Sequence, residues 1–440
     1  MKKEYHRRYK MSWKVAGGFL PFCLLSLQPL LTACENEQEE YFDVPASQRL
    51  QNTLVETKQL LRSAPYGWEL EYYPGGELEY GGIVYTVRFD SLTATVGCSL
   101  IADSTYTSFY RLTNDNGPVL TFDTYNPLLH YYATPSSGEY EAKGGEFEFV
   151  IDSIADDYIS LYGKKTRNAM CLRRLTANAD DYARQTIDIF DHFVDSIRGT
   201  IGATAIEAKC NPTTKRIVMG SREIPFAYTN RGIRLYRPLT VDGISVQTFD
   251  FDTSTNRLTC TDPGHENVQL QGIPYDQNTM SYAKYEGDYN LVYQGATLPV
   301  HLSPNRLEGT YLLQGLNQKY DLVMRYDPAT GNLLLGSQAV GDYDGHTVYW
   351  VCYDYEGGLL SLSDEGQFTI QWNKNRFYPM FNFSATNPRS LNCSGGLLIY
   401  LYSDAEGTLH ASVLDDASWM TNGSSQFRGL KSLNRRTRLE

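Results

Sequence analysis

Residues 83–89 have the sequence Ile83-Val84-Tyr85-Thr86-Val87-Arg88-Phe89. Apolar side chains alternate with polar or smaller ones, and an alternation of period two places the apolar set on one face of a strand. The stretch therefore predicts a half-buried β-strand. Because residues 147–151 and 289–293 alternate in the same way, we predict a mainly β fold with antiparallel sandwich- or barrel-like domains.

The C-terminal half carries the clearest turn and the most apolar strand. Residues 320–326 alternate and run into Asp327-Pro328-Ala329-Thr330-Gly331-Asn332, a composition typical of a tight turn. Residues 348–353 are apolar at almost every position, so we expect a central strand that is covered on both faces.

Two segments have a helical period instead. Residues 47–63 begin with Ser47 as a candidate N-cap, and residues 178–198 begin with Asn178 and end before Gly199. The apolar stripe of the first is formed by Leu50, Leu54, Thr57 and Leu61, and that of the second by Tyr182, Thr186, Ile189, Phe190, Phe193 and Ile197. The predicted fold class is therefore α+β: mainly β with two amphipathic helices.

Two acidic segments are candidate cation sites with simpler explanations. Asp188, Asp191 and Asp195 lie off the apolar stripe of the second helix, and this spacing is typical of a solvated helix face. Residues 250–256 resemble a calcium loop but lack its central glycine and distal glutamate, so we predict a hairpin turn. We expect no metal site and no cofactor.

The N-terminus has the pattern of a bacterial lipoprotein signal. Six basic residues and one acidic residue precede a short apolar run, residues 15–30, and then Leu31-Thr32-Ala33-Cys34. The run is too short and too often interrupted by glycine and proline to span a membrane. We predict cleavage before Cys34, lipidation of its thiol and attachment to a membrane through the lipid; the alternative is an ordinary signal peptide cleaved near Ala33.

Charge limits the partners. Cleavage would leave 33 basic and 50 acidic residues, a net charge of −17. This negative charge excludes nucleic acid as a partner. It is also repelled by an anionic membrane surface, so the lipid alone must attach the protein to the membrane. The acidic run Glu35–Glu40 directly follows Cys34. It is either a solvated tether or a signal for export to the cell surface, and we expect surface exposure.

The predicted organisation follows these boundaries. A signal peptide (1–33) and an acidic tether (34–46) precede a helix and β domain (47–175), a second helix and β domain (176–281), a C-terminal antiparallel β domain (282–420) and a basic tail (421–440). The last residues, 428–440, are expected to fray.

Six cysteines lie beyond Cys34, two in each predicted domain: Cys98, Cys171, Cys210, Cys260, Cys352 and Cys393. An exported protein permits disulfides, and six cysteines allow 15 connectivities. Six buried free thiols are an equally good interpretation, and no spacing is typical of a zinc site.

The N-terminal β region carries a series of family motifs. Four segments occur in order: Gly67-Trp68-Glu69-Leu70-Glu71-Tyr72-Tyr73-Pro74, residues 117–132, Gly144-Gly145-Glu146-Phe147-Glu148-Phe149-Val150 and Gly163-Lys164-Lys165. In these motifs, which cover roughly residues 40–175, the chain resembles the Bacteroidota lipoprotein family of domain of unknown function 4302. The resemblance implies an outer-membrane lipoprotein, often encoded beside importers for nutrient uptake, and it implies no catalytic residues.

No catalytic motif is present: there is no HExxH, no GxSxG and no phosphate-binding glycine loop. We therefore expect a binding or accessory protein of a nutrient uptake system, with an outer-membrane importer complex and a glycan or peptide as partners. A lipid-anchored glycosidase or peptidase and an adhesin or fimbria-like protein remain alternatives.

Tyrosine is abundant, with 34 residues, and suits both strands and stacking surfaces. Residues that could line a ligand groove are Asp123, Tyr125, His130, Tyr131 and Tyr132, and further candidate ring donors are Trp68, Tyr72, Tyr73, Trp350 and Trp372. The alternative is that residues 123–132 form a rigid corner between strands and that most of these rings belong to the core.

Overall fold

Antiparallel pairing, as residues 83–89 predict, organises the protein. The structure, a computed structural model, describes residues 44–136, 139–276, 279–356, 359–373, 380–386 and 393–437. The predicted signal peptide, the lipidation site Cys34 and all but the last residues of the acidic tether lie outside this described part. Within it, the protein is mainly β with two α-helices, as predicted.

The first described sheet has nine antiparallel strands in the order β4-β3-β2-β1-β9-β8-β7-β6-β5. The strands are β1 (Trp68–Tyr72), β2 (Ile83–Phe89), β3 (Thr93–Cys98), β4 (Ile101–Phe109), β5 (Arg111–Asn114), β6 (Pro118–Thr121), β7 (Glu148–Ile154), β8 (Tyr158–Gly163) and β9 (Ala169–Arg174). Helix α1 (Ala46–Ser63) precedes them and starts one residue before the predicted cap Ser47. Its stripe faces the sheet, and the indole Nε1 of Trp68 donates to the carbonyl of Leu61 at 2.8 Å.

Strand β2 is more buried than its alternation predicts. Val84 and Thr86, which the pattern places on the solvent side, are buried as completely as Tyr85. A second layer covers that side, because Val84 packs with Tyr182 and Ala227 from the following region. The prediction that strand β2 is half-buried was therefore wrong. The alternation reflects the local composition, whereas the residues that cover the second face of the strand come from a distant part of the chain.

Helix α2 (Ala179–Asp191) and an eight-stranded closed barrel form this second layer. The barrel strands are β10 (Ser196–Ile201), β11 (Thr204–Asn211), β12 (Arg216–Met219), β13 (Arg222–Tyr228), β14 (Gly232–Val241), β15 (Ile244–Asp252), β16 (Arg257–Cys260) and β17 (Gln269–Ile273). The predicted helix over 178–198 was too long. Asn178 caps α2, but Ile197 and Ile201 face the barrel core from β10, since alternating β-branched residues suit a strand.

A 3₁₀ turn (Tyr282–Tyr285) leads into a second eight-stranded closed barrel. Its strands are β18 (Gly287–Tyr293), β19 (Ala296–Asn305), β20 (Thr310–Gln314), β21 (Leu322–Asp327), β22 (Asn332–Gly336), β26 (Gln367–Asn373), β27 (Met380–Thr386) and β31 (Ser432–Arg435). The turn predicted between Asp327 and Asn332 is present. The predicted frayed tail is wrong in part, because β31 closes the barrel by pairing with β18 and β27.

A smaller sheet packs against this barrel and has the path β23-β24-β28-β29 among the described residues. Its strands are β23 (Gln338–Tyr343), β24 (His346–Glu356), β25 (Leu359–Ser363), β28 (Gly395–Ser403), β29 (Leu409–Val413) and β30 (Gln426–Arg428). Strand β24 is central, as residues 348–353 predict. Trp350 faces the barrel core, whereas Val351 and Tyr353 belong to an apolar cluster on the opposite face.

Buried tyrosines connect these layers. Tyr72, Tyr85, Tyr132, Tyr285 and Tyr289 have almost no exposed surface, and each hydroxyl donates to a backbone carbonyl. A tyrosine can enter a core at little cost when its hydroxyl keeps such a partner. Much of the tyrosine content therefore has a structural role.

The first sheet and the two barrels meet at one buried lysine. The ammonium of Lys215 donates to the carbonyls of Tyr80, Thr213 and Leu307, at 3.0, 3.3 and 3.0 Å. Tyr80 follows strand β1, Thr213 follows β11 of the first barrel, and Leu307 lies in the β19–β20 hairpin of the second. We call this arrangement the lysine junction.

The acidic segments have ordinary partners. Asp188, Asp191 and Asp195 pair separately with His192, Arg306 and Lys209. Residues 253–256 form a turn in which Asp252 accepts bonds from Ser254 and Thr255. Within the described ranges, no group of three or more histidine, cysteine or acidic side chains could hold a metal ion. The helices that are described there are too short or too polar to cross a bilayer.

Candidate functional site

The smaller sheet carries a row of partly exposed aromatic rings, which we call the aromatic strip. Its members come from four strands and are Tyr343, His346, Tyr400, Tyr402 and His410. The exposed fraction is 36% for Tyr402 and 43% for the side chain of His410, and the other three rings are half-buried.

Strand register explains why these residues share one face. Tyr343 pairs with His346 across β23 and β24, and Tyr402 pairs with His410 across β28 and β29. Residues opposite each other in an antiparallel pair point to the same side, as do residues two apart along one strand. The strip continues the face on which Trp350 and Leu398 are buried against the barrel.

The rings are evenly spaced. Ring centroids are 5.8 Å apart for His346 and Tyr400, 6.0 Å for Tyr400 and Tyr402, and 5.5 Å for Tyr402 and His410. Adjacent ring planes in this series differ by 28–37°. Tyr343 flanks the row, with its centroid 5.9 Å from that of Tyr400. A ligand that lies along the row would therefore meet an aromatic ring at regular intervals.

A carboxylate holds one end of the strip. Asp404 Oδ2 lies 2.6 Å from His410 Nε2. The hydrogen bond from His410, together with backbone N–H groups of residues 406–408, holds the pKa of Asp404 below its ordinary value. Asp404 is therefore ionised at neutral pH, and it gives this end of the strip a negative charge that disfavours anionic ligands.

Most of the predicted ring donors are in the core. Trp68, Tyr72, Tyr73, Tyr132 and Trp350 are at most 1% exposed, so their rings do not face solvent. Gly396 leaves space for the ring of Trp350, because a Cβ there would lie 1.9 Å from it. The remaining candidate, Trp372, is half-buried against the same core.

The predicted groove residues divide into two groups. Tyr125 and Phe147 are exposed and His130 is half-buried between them, and the His130 and Phe147 rings stack at 5.2 Å. Asp123 is close by and pairs with Arg111. Burial lowers the pKa of His130, and its Nδ1 accepts the backbone N–H of Asn126, so the ring is neutral at pH 7.

Tyr131 and Tyr132 instead bind the β19–β20 hairpin. The hydroxyl of Tyr131 donates to Glu308 Oε1 at 2.6 Å, and that of Tyr132 donates to the carbonyl of Leu307 at 2.8 Å. These contacts join the segment to the second barrel.

Asn126, which has no exposed surface, organises this segment. Its Nδ2 donates to Tyr106 O and Ser108 Oγ, and its Oδ1 accepts the N–H groups of Leu128 and Leu129. We expect Asn126→Ala to lower the free energy of unfolding by about 2 kcal/mol, because buried partners lose their bonds. Urea titration would measure this loss. Asn114→Ala, at an exposed asparagine of β5, is the control and should change stability by less than about 0.5 kcal/mol; equal losses in both variants would contradict this account.

Two larger recesses on the surface are lined by charges that already have partners. One, of about 630 Å³, lies beside Arg231 and Asp250, which form an ion pair. The other, of about 570 Å³, lies beside Lys143 and Glu308, which also pair. Because these charges are already paired with each other, the aromatic strip is the better candidate site.

The members of the strip were not among the predicted site residues, because spacing alone does not single out Tyr400 and Tyr402. The available signal was two tyrosines two residues apart, but their grouping with His346 and His410 depends on a register that the sequence does not specify.

Comparisons with known proteins agree with the family resemblance. Residues 261–399 match the model of a second domain of unknown function, DUF4987. The boundary of this match falls inside the first barrel. The match begins just after β16 and includes β17, which closes that barrel by pairing with β10. The searches of curated proteins and of solved structures gave no match. Residues 38–253 match the model of domain of unknown function DUF4302, so this part of the chain belongs to that family.

Proposed function

We propose that this protein binds a neutral, extended glycan along the aromatic strip. The observation that carries the proposal is the row of four rings from His346 to His410, spaced by 5.5–6.0 Å and flanked by Tyr343. That spacing is comparable with the length of one sugar residue, so successive sugars would each meet a ring.

The chemistry of the strip suits sugars. The C–H groups of a pyranose ring are apolar and pack on aromatic rings, while its hydroxyl groups need hydrogen-bonding partners at the edge of the contact. The tyrosine hydroxyls and the Asp404 carboxylate supply such partners. The acidic character of the chain, with a net charge of −12, disfavours anionic polysaccharides and nucleic acids.

The proposed setting is the outer surface of the outer membrane. Signal cleavage and lipidation at Cys34 would anchor the chain, and capture there would supply glycan to an importer complex. The support for this setting is the sequence pattern of residues 1–40 together with the absence of a catalytic motif. Loss of membrane attachment in a Cys34→Ser variant would support it.

The binding test uses two substitutions at one position. We expect Tyr402→Ala to weaken glycan binding about tenfold, since a ring contact of this kind contributes roughly 1 kcal/mol or more. Tyr402→Phe keeps the ring and should retain most of the affinity. Binding would be measured by calorimetry or affinity electrophoresis with a panel of neutral polysaccharides.

Tyr140→Ala is the matched control, because Tyr140 is an exposed tyrosine outside the strip. The proposal fails if no neutral glycan binds, or if Tyr402→Ala binds as tightly as the unaltered protein. Binding of a peptide panel instead would favour a peptide ligand. Release of new reducing ends from a bound glycan would favour the hydrolase alternative.

A further inference from the structure

The six described cysteines are all buried, but they differ in their neighbours. Cys171 lies by Glu71, Cys210 by Asp195 and Cys260 by Asp262. The thiol of Cys98 is also buried, and its charged neighbour is Lys215. None of these four has another cysteine among its recorded neighbours in the described part of the chain.

Cys352 and Cys393 are the exception. Their thiols, both free in this structure, lie next to each other, with Cys352 on the central strand β24 and Cys393 two residues before β28. Both side chains approach the same point beside Gly366: a Cβ on that residue would lie 2.6 Å from Cys352 Cβ and 3.0 Å from Cys393 Sγ. Gly366 therefore leaves the space in which the two cysteines meet.

We propose that Cys352 and Cys393 form a disulfide bond in an oxidising environment. The two thiols lose two protons and two electrons as the Sγ–Sγ bond forms. The electron acceptor is a disulfide exchange partner, such as oxidised glutathione or a thiol–disulfide oxidoreductase, whose own disulfide is reduced to two thiols. The proposal selects one pairing from those that six cysteines allow.

Burial determines when the bond forms. Cys352 has no exposed surface and Cys393 is 8% exposed, so an exchange partner has little access to them in the folded protein. Burial also raises the pKa of Cys352 to about 12, which keeps the thiol protonated and slow to react. The bond therefore forms during folding, before Gly366 and the strands close around the pair.

The bond would strengthen the support of the aromatic strip. Cys352 lies opposite Gly396 in the β24–β28 pairing, and Gly396 is three residues after Cys393 in the sequence. The same two strands carry His346, Tyr400 and Tyr402. A covalent link at the buried end of this strand pair limits its separation, whatever the strip binds, so the inference does not depend on the proposed function.

Peptide mapping tests the pairing directly. The full chain is unfolded in reductant and refolded with a glutathione redox mixture, and its remaining thiols are alkylated in denaturant. We expect a cross-linked peptide that contains Cys352 and Cys393, with Cys98, Cys171, Cys210 and Cys260 recovered as alkylated thiols. Recovery of Cys352 and Cys393 as alkylated thiols, or their linkage to other cysteines, would overturn the proposal.

Thermal unfolding gives a second measurement. We expect the oxidised protein to have a Tm about 5 °C above that of the reduced protein. A Cys352→Ser variant should lose this difference, whereas Cys210→Ser should keep it. A Tm difference that survives in Cys352→Ser would contradict the assignment. If that variant does not fold, the peptide map of the unaltered protein still decides the pairing.

Discussion

Replacing Arg234 with methionine is expected to lower the free energy of unfolding by about 3–5 kcal/mol. The guanidinium lies 2.7 Å from Glu69 Oε1 and 2.8 Å from Glu71 Oε2, and these two carboxylates are nearly inaccessible to water. Burial opposes the charged form of Arg234, but the two carboxylates outweigh it and keep its pKa well above the ordinary value. Removal of Arg234 would leave two buried negative charges without their main counter-ion.

The position of this ion cluster makes the effect large. Glu69 and Glu71 belong to β1 of the first sheet, while Arg234 belongs to β14 of the first barrel. Tyr182 and Tyr73 complete the cluster, because their hydroxyls donate to Glu69 and Glu71 at 2.7 and 3.0 Å. The variant would therefore weaken the contact between the sheet and the barrel as well as an ion pair.

Urea unfolding followed by circular dichroism would measure the loss. A triple variant, Arg234→Met with Glu69→Gln and Glu71→Gln, removes the uncompensated charges and should recover part of the stability. Arg231→Met is the matched control, because Arg231 forms an exposed ion pair with Asp250 in the same barrel and should change stability by less than about 1 kcal/mol. Equal effects of Arg231→Met and Arg234→Met would contradict this account.

The second large effect is expected at the lysine junction. Lys215→Met should cost about 3–5 kcal/mol, because three buried carbonyls would lose their donor and each unmet group costs about 1–3 kcal/mol. The carbonyls belong to Tyr80, Thr213 and Leu307, so the loss should weaken all three parts of the protein together. Lys209→Met, which removes an exposed ammonium paired with Asp195, is the control.

The junction also predicts a pH dependence. Burial lowers the pKa of Lys215 to about 7, although the nearby Cys98 and Glu308 side chains favour the charged form. The unfolded chain keeps the ordinary lysine pKa near 10.4, so between pH 7 and pH 10 it binds more protons than the folded protein. The contribution of Lys215 therefore makes stability rise with pH in this window and leaves it unchanged below pH 7.

Unfolding free energies at pH 6, 7, 8 and 9 would test this sign. The difference between the unaltered protein and Lys215→Met should increase above pH 7, by at most about 1.4 kcal/mol per pH unit. A difference that is constant from pH 6 to pH 9 would show that Lys215 keeps the same charge throughout.

Local features were predictable because they depend on neighbouring residues. The alternation in residues 320–326, the turn at Asp327–Asn332 and the cap at Asn178 are present, because side-chain direction and turn chemistry are properties of a few adjacent positions. The excess of β structure and the two helices follow from the same patterns, as does the family membership carried by the N-terminal motifs.

The errors occurred where a distant segment changed the environment. The helix predicted to Arg198 stops at Asp191, because Ser196–Ile201 pairs with β11 and β17. Likewise, residues 432–435 are a barrel strand because two distant strands accept them, although their composition is that of a tail.

The sequence by itself determined the secondary-structure content, the main turns and the family, since these follow from short-range patterns. Only the tertiary structure decided which aromatic rings are exposed and which cysteines meet. Trp68 and Tyr402 both lie in strands that contain tyrosine, yet helix α1 and the sheet cover the first ring and nothing described covers the second completely. Exposure and contact depend on the packing of elements far apart in the chain, and one register step would move every ring to the other face.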